Sequence, residues 1–101
     1  MGKEHPQVQI RQEAEARRFV ALLDGEPAVL EYEPRSGRRW DLLRTYVPEE
    51  HRRRGIATQL VRHALDVAAA DGRTVIPSCW FVAEFIDEHP RYQTLVVTEV
   101  P

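Results

Sequence analysis

A chain of 101 residues has room for one hydrophobic core and one site, because a domain this size hides only roughly two thirds of the surface its unfolded chain exposes. Apolar residues make up 43% and charged residues 30%, ordinary values for a globular protein, and no apolar run comes near the roughly 18 residues of a membrane span. The formal net charge of -2 argues against the broad basic surface that non-specific nucleic-acid binding needs, so any positive field is local.

Residues 1–6 contain no hydrophobic segment, and Pro6 stands where a myristoylation signal wants Ser or Thr, so no export signal or lipid anchor is readable there. Val8 and Ile10 alternate with polar neighbours as a short edge strand would, while residues 13–17 read equally well as a helical turn. Residues 18–23 and 28–32 are β-like runs separated by the turn sequence Asp24-Gly25-Glu26-Pro27, and together they read as a hairpin. A second turn cluster covers residues 33–38, after which strand composition resumes from Trp40 to Val47 and stops at Pro48.

From Ile56 the period changes. Ile56, Ala57, Leu60, Val61, Ala64, Leu65 and Ala68 form an i, i+4 stripe, with Gln59, Arg62, His63 and Asp66 on the other face. This predicts an amphipathic helix, stopped by Gly72. Thr74-Val75-Ile76 is a short apolar strand ended by Pro77, and Ser78 is placed to N-cap a second helix over residues 79–88 that His89-Pro90 terminates. Residues 95–100 read as a last strand. No repeat or linker interrupts this order, so residues 1–101 are expected to form one domain of the α/β (α+β) class around a mostly antiparallel sheet. Cys79 is the sole cysteine, so no intramolecular disulfide can form, which fits a reducing compartment and leads us to expect a cytoplasmic protein.

The segment between the third strand and the first helix carries the clearest chemistry. A helix N-terminus exposes unpaired N–H groups and a partial positive charge, and phosphate is its natural guest. Here Arg52, Arg53 and Arg54 concentrate positive charge at that point, Gly55 lets the backbone approach an anion, and Ala57 keeps the next turn thin. The plain alternative is a solvated arginine run followed by a loop glycine.

Arg52-x-x-Gly55-x-Ala57, after a strand and opening a helix, resembles the Gln/Arg-x-x-Gly-x-Gly/Ala signature of the GNAT N-acetyltransferase superfamily. Thr45-Tyr46-Val47-Pro48, Pro77-Ser78-Cys79 and His89-Pro90 extend the resemblance, in order and spacing, to a short cysteine-containing branch over residues 18–97. The resemblance implies the acetyltransferase core, with two main helices and with the strands on either side of the first helix splaying apart to admit the pantetheine arm of acetyl-coenzyme A. It also implies that Tyr46 and Val47 meet pantetheine, and that Arg52, Arg53, Arg54, Gly55, Ile56, Ala57 and Thr58 meet the phosphates. The reaction implied is acetyl transfer from acetyl-CoA to an amine, on a small molecule or a protein lysine.

Cys79 is the candidate catalytic residue. A cysteine in the first turn of a helix is favoured as thiolate, and beside a thioester it can accept the acetyl group; direct attack by the amine is the simpler alternative. A small buried hydrophobe is the plain reading. Larger GNAT enzymes place a tyrosine about two turns into the second helix, where this chain has Phe85-Ile86, so water, Tyr92 or Cys79 would have to handle the protons. Relatives in the short branch often carry His before Thr where Arg44 stands here, so a role for that histidine is lost. Without such a proton donor, a non-catalytic acyl-CoA-binding module is the second reading. His51, His63 and His89 each have a solvated or capping explanation, and Trp40, Trp80, Phe81, Phe85 and Tyr92 read as core or cleft walls rather than a base-stacking platform.

Overall fold

The computed structural model describes residues 7–96. The alternation at Val8 and Ile10 produces an edge strand, β1 (Gln9–Glu13), and the helical turn follows it at Ala14–Ala16, so both readings of this segment are realised in succession. Arg17 closes that turn in the left-handed region at φ 58 and delivers the chain to β2 (Arg18–Leu22). Gly25, at φ 84, makes the tight reversal into β3 (Ala28–Arg35).

β3 is longer than its composition suggests, because it continues through Glu33 and Pro34, which the sequence assigns to a turn. β2 pairs with β3 only as far as Glu31, so one edge of β3 is open at Pro34, where a residue without an N–H is tolerated. The turn itself is confined to residues 36–38, with Gly37 at φ 77, and β4 (Arg39–Tyr46) returns beside β3.

The 15-residue helix α1 (Ile56–Ala70) buries Ile56, Leu60, Val61, Ala64, Leu65 and Ala68, the stripe expected from its period. Beyond its C-terminus Gly72 takes φ 70, and Arg73 N–H reaches back to the Ala68 carbonyl at 2.8 Å. The crossover delivers β5 (Thr74–Pro77) parallel to β4, giving the order β1-β2-β3-β4-β5 with the first four strands antiparallel. Helix α2 (Trp80–Glu88) and a 3-10 turn (Pro90–Leu95) follow. Of the tail expected as a strand, Leu95 belongs to that turn and Val96 makes a lone parallel bridge to Val75; the rest lies outside the described residues.

One face of the sheet, with Phe19, Ala21, Ala28, Leu30, Tyr32, Trp40 and Leu42, forms a single core with α1 and with Val82, Phe85 and Ile86 of α2. Each large side chain buried there contributes roughly 1.5–3 kcal/mol. Val20 and Val29 are buried outside this core, on the other face of the sheet, to which no described helix contributes a core residue. Trp80 departs from the expected role of core or wall: as the first residue of α2 it is 74% exposed.

Candidate functional site

The site starts at an irregularity in β4. Glu31 lies opposite Arg44 while Tyr32 lies opposite Leu42, so Leu43 has no partner on β3. This is a β-bulge, which re-aims the side chains that follow it. Before it, Trp40 and Leu42 face the core; after it, Thr45 and Val47 take that side, while Arg44 and Tyr46 turn to the helix-free face. The adjacent apolar pair Leu42-Leu43, which breaks an otherwise regular alternation, is the signal that sequence reasoning passed over.

The same strand loses its other neighbour at nearly the same place. The last β4–β5 pair is Leu42 with Pro77, and residues 43–46 continue without a partner on that side. Pro77 has no N–H to extend the ladder, and Ser78 N–H folds back onto the Ile76 carbonyl at 3.0 Å. Two bonds rivet this corner to β4. Cys79 N–H donates to the Leu42 carbonyl at 2.9 Å, and Ser78 Oγ donates to Asp41 Oδ1 at 2.5 Å. Ser78 is therefore not the helix cap expected from sequence. Cys79 occupies the cap position in an extended conformation, φ -76 and ψ 127, so it precedes the first turn of α2 rather than lying in it. Its Sγ lies 3.6 Å from Thr45 Oγ1 across the opening.

At the other end of β4 the chain makes a 3-10 turn (Glu49–His51) and enters the arginine loop. Arg52 Nε donates to the Val47 carbonyl at 2.7 Å, which ties the loop to the strand end. Arg53 takes φ 66 and Gly55 φ 75, two left-handed residues that aim the start of α1. No side chain caps this helix and its first turn holds no acidic residue, so the N–H groups of Ile56, Ala57 and Thr58 are left without an intrahelical acceptor. These three residues line a cavity of about 240 Å³.

Seven of the nine residues expected to hold the cofactor line that cavity: Val47, Arg52, Arg53, Gly55, Ile56, Ala57 and Thr58. His51 and Phe81 complete the wall. Two expected residues point elsewhere. Arg54 lines a separate concavity of about 410 Å³ beside the β2–β3 turn. The Tyr46 ring lies on the helix-free face, between the guanidinium groups of Arg44 and Arg52 at 5.7 and 5.9 Å, and its hydroxyl donates to Glu26 at 3.4 Å. Only its backbone borders the opening. Among the described residues, Arg52, Arg53 and Arg54 form no ion pair, whereas Arg44 is bound to Glu31 at 3.2 Å, and that hydrogen bond and charge raise its pKa further.

The other proton-handling candidates are occupied. Tyr92 is buried, with its hydroxyl donating to Asp66 Oδ1 at 2.7 Å and accepting from Arg91, and it does not line the cavity. Burial first, and the Asp66 bond second, hold its phenol above the usual tyrosine range. His89 donates from Nδ1 to the Phe85 carbonyl at 2.7 Å and stacks on the Phe85 ring. His63 packs edge-on against Phe19, and His51 Nε2 lies 3.0 Å from the Asp24 carbonyl oxygen, bracing the loop against the β2–β3 turn.

A mostly antiparallel sheet whose two parallel strands part beside an uncapped, glycine-led helix is the architecture of the GNAT acetyltransferases. The solution structure of a GCN5-like protein from Staphylococcus aureus superposes on this chain with a TM-score of 0.71, over 92% of this chain and 91% of the other at 19% identity, which establishes the fold. The model of the family described as GCN5-related N-acetyl-transferase matches residues 18–95, and the chain belongs to that family. Similar relatives include Protein NATD1 of Gallus gallus, 34% identical over 90 residues that cover 87% of this chain and 82% of the relative. Protein NATD1 of Bos taurus is 34% identical and that of Homo sapiens 33%, each over 87% of this chain and 80% of the relative.

Proposed function

We propose that the protein is an acetyl-CoA-dependent N-acetyltransferase that acts on an amine. The observation that carries this reading is the uncapped start of α1 behind Gly55, opening onto a cavity that Val47, Arg52 and Arg53 share. The N–H groups of Ile56, Ala57 and Thr58 suit a pyrophosphate, with Arg52 and Arg53 supplying charge and Gly55 keeping Cβ out of the way. Residues 43–46, unpaired on the β5 side, offer backbone groups to an extended amide-bearing arm. When bound, acetyl-CoA supplies an activated acetyl thioester.

Cys79 lies at the inner end of that opening. As nucleophile its thiolate bonds to the acetyl carbon, the carbon–sulfur bond to coenzyme A breaks, and the departing thiolate takes up the proton that Cys79 released. The amine then attacks the acetyl-cysteine, the new amide forms, and Cys79 regains a proton from the amine. The helix-free face beyond Arg44 and Tyr46 leaves room for a bulky acceptor such as a protein lysine.

Calorimetric titration with acetyl-CoA, followed by mass analysis of the intact protein, tests both parts. Binding with a mass gain of one acetyl group that disappears in Cys79→Ala supports the covalent route; an unchanged turnover in that variant leaves direct attack; absence of binding overturns the acetyltransferase reading. Phe85 and Ile86, both buried where larger relatives carry a tyrosine, favour a second reading, an acyl-CoA-binding module without turnover. Tight binding with no acetylation of any amine would select it.

A further inference from the structure

We infer that the exposed face of α2, led by Trp80, docks a basic segment of a polypeptide, so that the amine comes from a protein lysine rather than a small molecule. This rests on the acetyltransferase reading and deepens it.

Trp80 follows Cys79 directly, at the inner end of the β4–β5 opening. Its ring meets the Phe81 ring edge-on at 6.1 Å, and Phe81 is part of the cavity wall. Among the described residues, the large apolar side chains left exposed are those of Leu22, Leu43 and Trp80. Two of them border the same opening. Leu43 is the bulge residue, placed where the pairing with β5 has ended, and the neighbouring Leu42 carbonyl accepts Cys79 N–H. Exposed tryptophan is among the residue types that most often anchor a partner.

The rest of the helix decides the charge of that partner. Val82, Phe85 and Ile86 take the buried face of α2. Opposite them lie Trp80, Glu84 and Asp87, at i, i+4 and i+7, with Glu88 alongside. The three acids are exposed, and among the described residues none of them forms an ion pair. No Lys, Arg or His occurs in α2 to offset them. Cations on adjoining elements are engaged elsewhere: Arg91 with Tyr92 and Asp66, Arg62 over Phe85, and His89 with the Phe85 carbonyl.

An indole is thus followed, over about 12 Å of helix, by three unopposed carboxylates. A lysine-rich segment complements this order. One butyl stem lies on the indole with its ammonium drawn to the ring face, and flanking cations meet the acids. A monoamine occupies only one end of the track. The same carboxylates repel nucleic acid and anionic lipid, which leaves a basic polypeptide.

The test uses the whole chain and a fluorescent deca-lysine peptide followed by anisotropy, with deca-glutamate and spermidine as comparisons. Deca-lysine should bind about tenfold or more tightly than spermidine, and deca-glutamate should not bind. Glu84→Gln, Asp87→Asn and Glu88→Gln combined should weaken deca-lysine about tenfold, and Trp80→Ala about threefold, the scale of exposed charge pairs and of one exposed cation–π contact. Glu15→Gln, Glu49→Gln and Glu50→Gln combined make the same change in net charge away from α2 and should cost less than about twofold. Thermal melting checks that each variant folds, and the wild-type ranking of the three ligands stands on its own if one does not. Equal losses in the two triple variants, binding of deca-glutamate, or no binding of deca-lysine overturns the docking surface. Spermidine that binds as tightly as the peptide overturns the polypeptide partner. Acetyl-CoA is titrated separately, and its failure to bind overturns the acetyltransferase reading without touching the peptide result.

Discussion

Ser78 Oγ and Asp41 Oδ1 lie 2.5 Å apart across the point where β4 and β5 separate. A hydroxyl that the sequence offers as a helix cap is used here to hold two strands together. The bond matters because Asp41 is buried and its other oxygen already serves Arg35.

Removing either partner should therefore cost stability in unequal amounts. Asp41→Ala deletes both bonds and leaves Arg35 without its ion pair, for an expected loss of about 2 kcal/mol; Ser78→Ala removes one bond from an exposed residue and should cost about 1 kcal/mol. Urea unfolding measures both from the shift in midpoint at constant slope. If Ser78→Ala proves the more costly, the rivet is not centred on Asp41.

Two arginines of the loop, Arg53 and Arg54, should separate in a binding assay. Arg53 lines the cavity at the start of α1, whereas Arg54 lines the concavity beside the β2–β3 turn. Arg53→Ala is expected to weaken acetyl-CoA about fivefold or more, since a charge-assisted bond to phosphate is worth about 1 kcal/mol or above. Arg54→Ala should have a smaller effect, and the Arg53 contribution should shrink with added salt. Gly55→Glu should abolish binding, because it sets a carboxylate at the phosphate position. Gly55→Ala controls for the φ of 75, whose strain costs a side chain roughly 1–2 kcal/mol in stability. Equal losses in Arg53→Ala and Arg54→Ala, or retained affinity in folded Gly55→Glu, would refute the assignment of the loop.

Much of this arrangement was legible in the residues, and the reasons differ by element. The stripe from Ile56 to Ala68 fixes α1 because only a 3.6-residue period places those side chains on one face. The arginine–glycine loop was legible because a left-handed residue before a helix calls for glycine. The extension of β3 through Pro34 was not, since proline stops a strand only where both edges are paired, and pairing is a tertiary fact. The roles of Ser78 and Asp41 were equally hidden: local preference favours a cap, and the competing acceptor lies 37 residues away in sequence. The direction of the Tyr46 side chain was hidden for a related reason, because the bulge at Leu43 shifts the parity of everything after it.

The two tryptophans offer a contrast in burial that a stability measurement reads directly. Trp40 is 4% exposed and packs against Phe19, Tyr32 and the Arg73 guanidinium, while Trp80 is 74% exposed at the start of α2. Trp40→Ala should cost about 3–5 kcal/mol, a large share of the roughly 5–15 kcal/mol that holds an ordinary domain together, whereas Trp80→Ala should stay within about 0.5 kcal/mol. A large loss on removing Trp80 would mean that its ring is covered in solution, and the dependence of that loss on protein concentration would show whether a second copy covers it.

Tyr92 should make stability depend on alkaline pH in a defined direction. Its phenol is held above the usual value, first by burial and then by the bond to Asp66. Because the folded state holds the proton more tightly than the unfolded chain, the stabilisation is complete below about pH 10, the unfolded tyrosine value, and is lost as pH rises through the higher folded value. Tyr92→Phe keeps the ring and removes the hydroxyl, so it should lower stability by about 1 kcal/mol at neutral pH. The gap between wild type and variant should then close under alkaline conditions, where the wild-type phenol ionises beside a carboxylate. Phenolate absorbance supplies an independent readout: the late titration step of Tyr92 in the wild type should be missing in the variant. A gap that stays constant across this range, or a late step that persists in the variant, would show that the Asp66 bond does not govern the Tyr92 proton.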